Sequence, residues 1–235
     1  MGLLDYFTKE GKLKRHVRRM SNRDTPPEDR EVSAQWLAEE RSPKAIYGLI
    51  TRFDMTMSQQ LKDRNEKQYV FDMLVHIGQP TVEPLQQWLR NCKHYAWPLR
   101  LLETLEGEEA VIQVVYERLA EEAGKSSFAP EKKKELLVWL TSRRHADALT
   151  NAAVFLHDFD EEVRYAAAEV VIGQQDDGAA PLLAAMLASK EEDSNRIKHR
   201  LCEVFRARRW PVGDVDLDGK LPPGFVVQDG FIVTA

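Results

Sequence analysis

Six histidines (positions 16, 76, 94, 145, 157 and 199) and two cysteines, Cys92 and Cys202, are the side chains of this 235-residue chain best suited to metal or nucleophilic chemistry. No two histidines stand three or four apart, the spacing that puts two imidazoles on one helix face to share a metal. Cys92 and His94 are two apart, which reads either as a weak metal pair or as a buried thiol beside a surface imidazole. There is no phosphate-cradling glycine loop, no H-E-x-x-H zinc motif and no G-x-S-x-G nucleophile turn. Asp214, Asp216 and Asp218, with Gly219, form the front half of a calcium loop, in which alternate carboxylates converge on one hard cation. Phe225 stands where the closing twelfth-position glutamate belongs, and Pro222 and Pro223 oppose a following helix. That segment reads either as an incomplete calcium site or as a plain acidic turn. These residues lead to no expected catalytic group, cofactor or metal, and the chain reads as non-enzymatic.

The most polarised segment is the first. Residues 1–24 hold seven basic groups, among them Lys12, Lys14, Arg15, Arg18 and Arg19, against three acidic ones, a local excess of +4 in a chain of net charge -5. Leu13, Val17 and Met20 form one apolar seam there, and Leu3, Leu4 and Phe7 form another before Gly11. Such a basic amphipathic segment suits two roles: a helix capping the acidic body, or an arm for an anionic membrane or partner. The body's negative charge makes nucleic acid an unlikely partner. Charge follows Met1 so closely that no secretory leader is expected, Tyr6 breaks the myristoylation pattern, and no apolar run reaches a membrane span. Two distant cysteines suggest reduced thiols, and the expected location is the cytoplasm.

The elements that must position these groups are helices. Val163, Ala166, Ala167, Val170 and Val171 recur with helical period, as do Ala179, Leu182, Leu183, Met186 and Leu187. First helices are expected at about 28–40, 64–77, 96–105, 130–141, 161–172 and 194–208, and second helices at about 43–53, 81–90, 108–122, 146–156 and 179–188. The segment from Glu161 aligns with that from Ser194 at a shift near 34, matching Val163 to Ile197 and Glu169 to Glu203. Pairs at that period indicate an α-solenoid. Only the end differs: Phe225–Gln228 and Phe231–Thr234 flank Asp229-Gly230, a preferred hairpin turn.

The stretch DFDEEVRYAAAEVV at 158–171, followed by AAPLLAAML from Ala179, resembles the HEAT repeat, in particular the HEAT-like variety first named from phycobilin lyases. The likeness is specific for 158–188, fair for 194–208 and 65–90, and elsewhere only the pair rhythm remains. It implies a right-handed solenoid whose second helices line a concave face, and a family that mostly binds macromolecules. It also implies a structural part for Arg164, tying neighbouring repeats through acids such as Asp158, Asp160 or Asp176. On that register Tyr47, Gln87, Arg90 and Gln113 face the concavity as partner-binding candidates.

The expected architecture is all-α: a right-handed α-solenoid of about five to six HEAT-like helix pairs with a short C-terminal β-hairpin. Its parts are residues 1–24 as basic arm or capping helix, 25–209 as the solenoid, and 210–235 as an acidic loop and hairpin cap. The expected function is a scaffold for a protein partner. The alternatives are a HEAT-like enzyme or enzyme subunit, resembling a bilin lyase or an alkylpurine DNA glycosylase, and a peripheral membrane adaptor using the basic arm.

Overall fold

A computed structural model describes residues 8–123, 130–174 and 178–235. The chain forms two compact units, Met1–Arg118 and Leu119–Ala235. The apolar seam Leu3, Leu4 and Phe7 and the acid Asp176 lie outside the described residues.

The first unit holds α1 (Lys9–Ser21), α2 (Pro27–Glu40), α3 (Pro43–Ile50), α4 (Gln60–Ile77), α5 (Val82–Leu89), α6 (Ala96–Glu106) and most of α7 (Glu108–Ala123). Local chemistry sets the ends. The Thr8 hydroxyl accepts the Gly11 N–H at 3.0 Å, capping α1. Proline opens α2 and α3, where its missing N–H has no helical partner to lose. Gly78, at φ +75°, ends α4 in a conformation that side chains resist. The helix expected over 43–53 is regular only to Ile50 and then tightens into a 3-10 turn, Thr51–Asp54. The Thr51 hydroxyl donates to the Gly48 carbonyl at 2.7 Å, competing with the helical ladder there.

Packing within this unit alternates. Helix α1 lies on α2 and α3; α2 packs on α3 and α4; α4 packs on α6, and α3 on α5. The core runs between the two sets, with Leu37, Ile46, Leu49, Ile50, Leu74 and Leu85 at most 1% exposed. An alanine Cβ at Gly48 would stand 2.5 Å from the Val17 side chain, so α1 meets α3 at a point where only glycine fits.

The second unit holds α8 (Pro130–Leu140), α9 (Ala148–Ala153), α10 (Glu161–Gln174), α11 (Ala179–Ala188), α12 (Asn195–Arg208), and the strands β1 (Phe225–Gln228) and β2 (Phe231–Thr234). Helix α9 is shorter than the expected 146–156, giving way to turns through residue 157. Helix α10 packs on α8, α9 and α11, and α11 packs on α12. The strands pair antiparallel with Val226 opposite Val233 and Val227 opposite Ile232. Asp229 and Gly230 both have positive φ, 52° and 81°, as a two-residue turn between right-twisted strands requires. An isolated hairpin is marginal in water. This one is anchored: β2 packs on α12, Ile232 is buried, and the Phe225 ring meets His199 edge-on at 5.1 Å. Among the described residues no helix is long and apolar enough to cross a membrane.

Candidate functional site

The described part of the basic N-terminal segment forms α1, which packs on its neighbours. Met20 and His16 are buried against α2, and the His16 ring stacks on Trp36 at 4.6 Å. Its cations are distributed over the same neighbour. Lys9 pairs with Glu40 at 2.6 Å, Arg19 reaches Asp29 at 3.7 Å, and Lys12 lies 4.8 Å above the Trp36 ring. Lys14 pairs with Glu10 one turn back, at 3.0 Å, and Arg15 is half-buried. Arg18 points to solvent.

His16 has an unusual environment. The Ser33 hydroxyl gives its one proton to the Asp29 carbonyl at 2.6 Å, so toward His16 Nδ1, at 3.0 Å, it accepts. Nδ1 therefore carries the hydrogen of the neutral ring. Nε2 is buried with no hydrogen-bond partner, so a second proton there finds no acceptor. Burial first, then the charges of Arg15, Arg19 and Lys12, lower the imidazole from 6.5 to about 4.

Helices α1, α3 and α5 frame an open groove of about 460 Å³. Leu13 and Val17 of α1, with Pro43 and Tyr47 of α3, make its apolar floor. Lys14, Arg18, Lys44 and Gln87 make its polar rim. The Tyr47 ring is held edge-on by Trp88 at 5.1 Å. The groove therefore gathers two of the four candidates read from the second helices, Tyr47 and Gln87, and joins them to Lys14 and Arg18. Arg90 at the end of α5 and Gln113 on α7 are exposed but do not line it.

A second constellation was not visible in the sequence. Arg52, in the 3-10 turn after α3, is completely buried. Its guanidinium donates to Asp63 Oδ1 at 2.8 Å, Glu66 Oε2 at 3.1 Å and the Met55 carbonyl at 3.0 Å. Arg30 of α2 takes the same Glu66 at 2.8 and 3.0 Å and also donates to the Thr25 carbonyl. Lys67 completes the cluster on Asp63 at 2.8 Å. Burial would raise both carboxyl groups. The hydrogen bonds from Lys67 and Arg52 to Asp63, and from Arg30 with both guanidinium charges to Glu66, outweigh it, so both acids sit below their ordinary values. The sequence held only a partial signal: Arg52 stands between the apolar residues Ile50 and Phe53, and Asp63, Glu66 and Lys67 share one helical face.

In the second unit Arg164 meets a carboxylate from the next segment. Its Nε and Nη2 grip Glu192 at 2.9 and 3.2 Å, and Asp193 lies at 3.5 Å. Of Asp158 it uses the main-chain carbonyl, at 3.0 Å, while that residue's carboxylate is taken by Lys133 at 2.7 Å. Glu192 raises the Arg164 pKa further. In the acidic loop Asp216 accepts the Asp218 N–H at 3.0 Å, and Lys220 lies 4.0 Å from its carboxylate. Among the described residues no group of three or more His, Cys, Asp or Glu side chains is arranged to hold a metal ion. Cys92 and Cys202 are both buried and not joined in a disulfide, and burial pushes the Cys202 thiol up to about 12.

No protein-family model matches the chain, and neither a curated protein nor a solved structure is significantly similar to it.

Proposed function

We propose that this chain is a non-enzymatic scaffold of HEAT-like helix pairs, stacked in right-handed solenoid fashion, that binds another protein. One observation carries the reading: side-chain bonds between successive first helices recur at a near-constant separation. Arg30 to Glu66 spans 36 residues, Gln35 to Tyr69 spans 34, and Arg100 to Gln68 spans 32. In the second unit Ser194 to Glu161 spans 33, Arg196 to Glu162 spans 34 and Arg200 to Glu169 spans 31. A fixed offset of that size is the stacking interval of a helix-pair repeat. The alternation of contacts within the first unit, α2 to α4 to α6 and α3 to α5, supports the same reading. Repeats of this kind present a row of second helices to a macromolecule rather than enclosing a small substrate.

The test is affinity purification of the tagged chain from its native host, with chemical crosslinking and mass spectrometry of what is retained. The reading expects one stoichiometric protein crosslinked to lysines bordering the second helices, Lys44 first among them. Recovery of the chain alone, or turnover of a small molecule by the purified protein, overturns it.

A further inference from the structure

We infer that the groove between α1, α3 and α5 binds a short acidic peptide segment carrying apolar anchor side chains. The inference rests on the protein-binding reading and gives it a place and a ligand chemistry. The floor of Leu13, Val17, Pro43 and Tyr47 offers apolar surface in a concavity of about 460 Å³. That volume lies within the range of about 300–1,000 Å³ found for small-molecule sites, room enough for an anchoring side chain. The rim sets the sign of the charge. Lys14, Arg18 and Lys44 line it with no acid beside them among the lining residues; Glu10, one turn before Lys14, has its carboxyl held low by its hydrogen bond from Lys14 and by the charges of Lys14 and Lys44. Arg18 and Lys44 are exposed and make no ion pair within 4.0 Å among the described residues. A carboxylate arriving there gains two cations without displacing an existing partner.

Shape separates a peptide from an anionic membrane. Most of the apolar side of α1 is already packed, with Met20 and His16 buried and Val17 touching Gly48, and only Leu13 and Val17 face the opening. What remains is a recess, which accepts projecting side chains and offers a flat lipid surface nothing to insert. Phosphates of a nucleic acid would match the rim but not the apolar floor. The recess is also preformed, because Tyr47 is braced by Trp88 and the α1–α3 spacing is set at Gly48, which lowers the ordering cost of binding.

The experiment pans a displayed library of random twelve-residue peptides against the full-length chain and against an Arg18→Glu/Lys44→Glu variant. The expected result is enrichment of peptides pairing Asp or Glu with Leu, Phe or Met on the wild type alone. The synthetic winners should then weaken at least about tenfold, roughly 1.4 kcal/mol, on the double variant by fluorescence polarisation. They should weaken similarly on Tyr47→Ala, and also at high salt. Lys44→Ser provides a milder variant should the double substitution disturb folding, and Arg196→Glu in the second unit should bind as wild type does. Peptides that bind both proteins equally overturn the groove while leaving the scaffold reading intact. No enrichment on either protein, with a partner still retained from the host, does the same; no enrichment and no partner removes both. Sedimentation of the wild type with phosphatidylcholine–phosphatidylserine vesicles, lost in the double variant and without peptide enrichment, reassigns the site to lipid and overturns the inference.

Discussion

Acidification should loosen α1 through a single imidazole. His16 is 5% exposed, sandwiched between Trp36 and the Ser33 hydroxyl, with Nε2 unpartnered and Arg15, Arg19 and Lys12 nearby. Its proton affinity falls from the ordinary 6.5 to about 4 on folding. Between those values the unfolded chain binds a proton that the folded chain does not. The contribution to stability is therefore complete above the unfolded value and is lost as the pH falls through the window toward about 4. At about 1.36 kcal/mol per pH unit, that amounts to about 2 kcal/mol between pH 7 and pH 5, and about 3 kcal/mol by pH 4. The ring resonances of His16, followed by NMR, should remain those of a neutral imidazole down to about pH 5. Urea unfolding between pH 7 and pH 5, above the range where the carboxyls of Asp63 and Glu66 add their own loss, should show a decline about 2 kcal/mol larger in the wild type than in His16→Gln, whose amide does not titrate. A His16 ring titrating near 6.5, or equal pH slopes for the two proteins, refutes the reasoning.

Three further outcomes are expected. Arg52→Ala empties a buried site and strips one cation from Asp63, which keeps Lys67, and from Glu66, which keeps Arg30, and should cost about 2–5 kcal/mol in chemical denaturation of the first unit; a loss below about 1 kcal/mol contradicts the buried network. Gly48→Ala drives a methyl group to 2.5 Å from Val17 and should destabilise by about 1–3 kcal/mol, with Val17→Ala in the same chain restoring most of it; absence of that rescue in a double-mutant cycle means the two helices do not meet there. Glu192→Ala removes the carboxylate that Arg164 grips with two nitrogens and should raise amide hydrogen exchange over residues 189–196 while leaving the hairpin protected; unchanged exchange there contradicts the clamp.

The helices were legible because their period and their stop signals agree. Gly78 and Gly107, residues suited to helix ends, close α4 and α6 where the apolar period stops, and Pro43 opens α3. The hairpin was legible for the same reason, since Asp229-Gly230 is a turn with a conformational requirement that few other pairs meet. The pairing of charges was not. The resemblance offered Arg164 acids such as Asp158, Asp160 or Asp176 without singling out Glu192, which it grips and which approaches through the loop between α11 and α12. Arg52 and Glu66 are fourteen residues apart, a distance for which no local rule specifies contact. The groove was half visible. Tyr47 and Gln87 could be placed on second helices, but Lys14 and Arg18 join them only because Gly48 lets α1 descend onto α3.

Glu66 is shared by two guanidiniums that precede it in the chain, Arg30 by 36 residues and Arg52 by 14. A ribosome therefore releases both arginines before the one carboxylate that neutralises them together. Until α4 emerges, the nascent helices α1 to α3 hold two cations with nowhere dry to go, and the start of the protein waits, open, for its fourth helix. The same order sets the shortest N-terminal fragment worth expressing: any that stops short of the end of α4 loses Leu74 from the core, and any that stops before Glu66 also leaves both guanidiniums without their shared carboxylate.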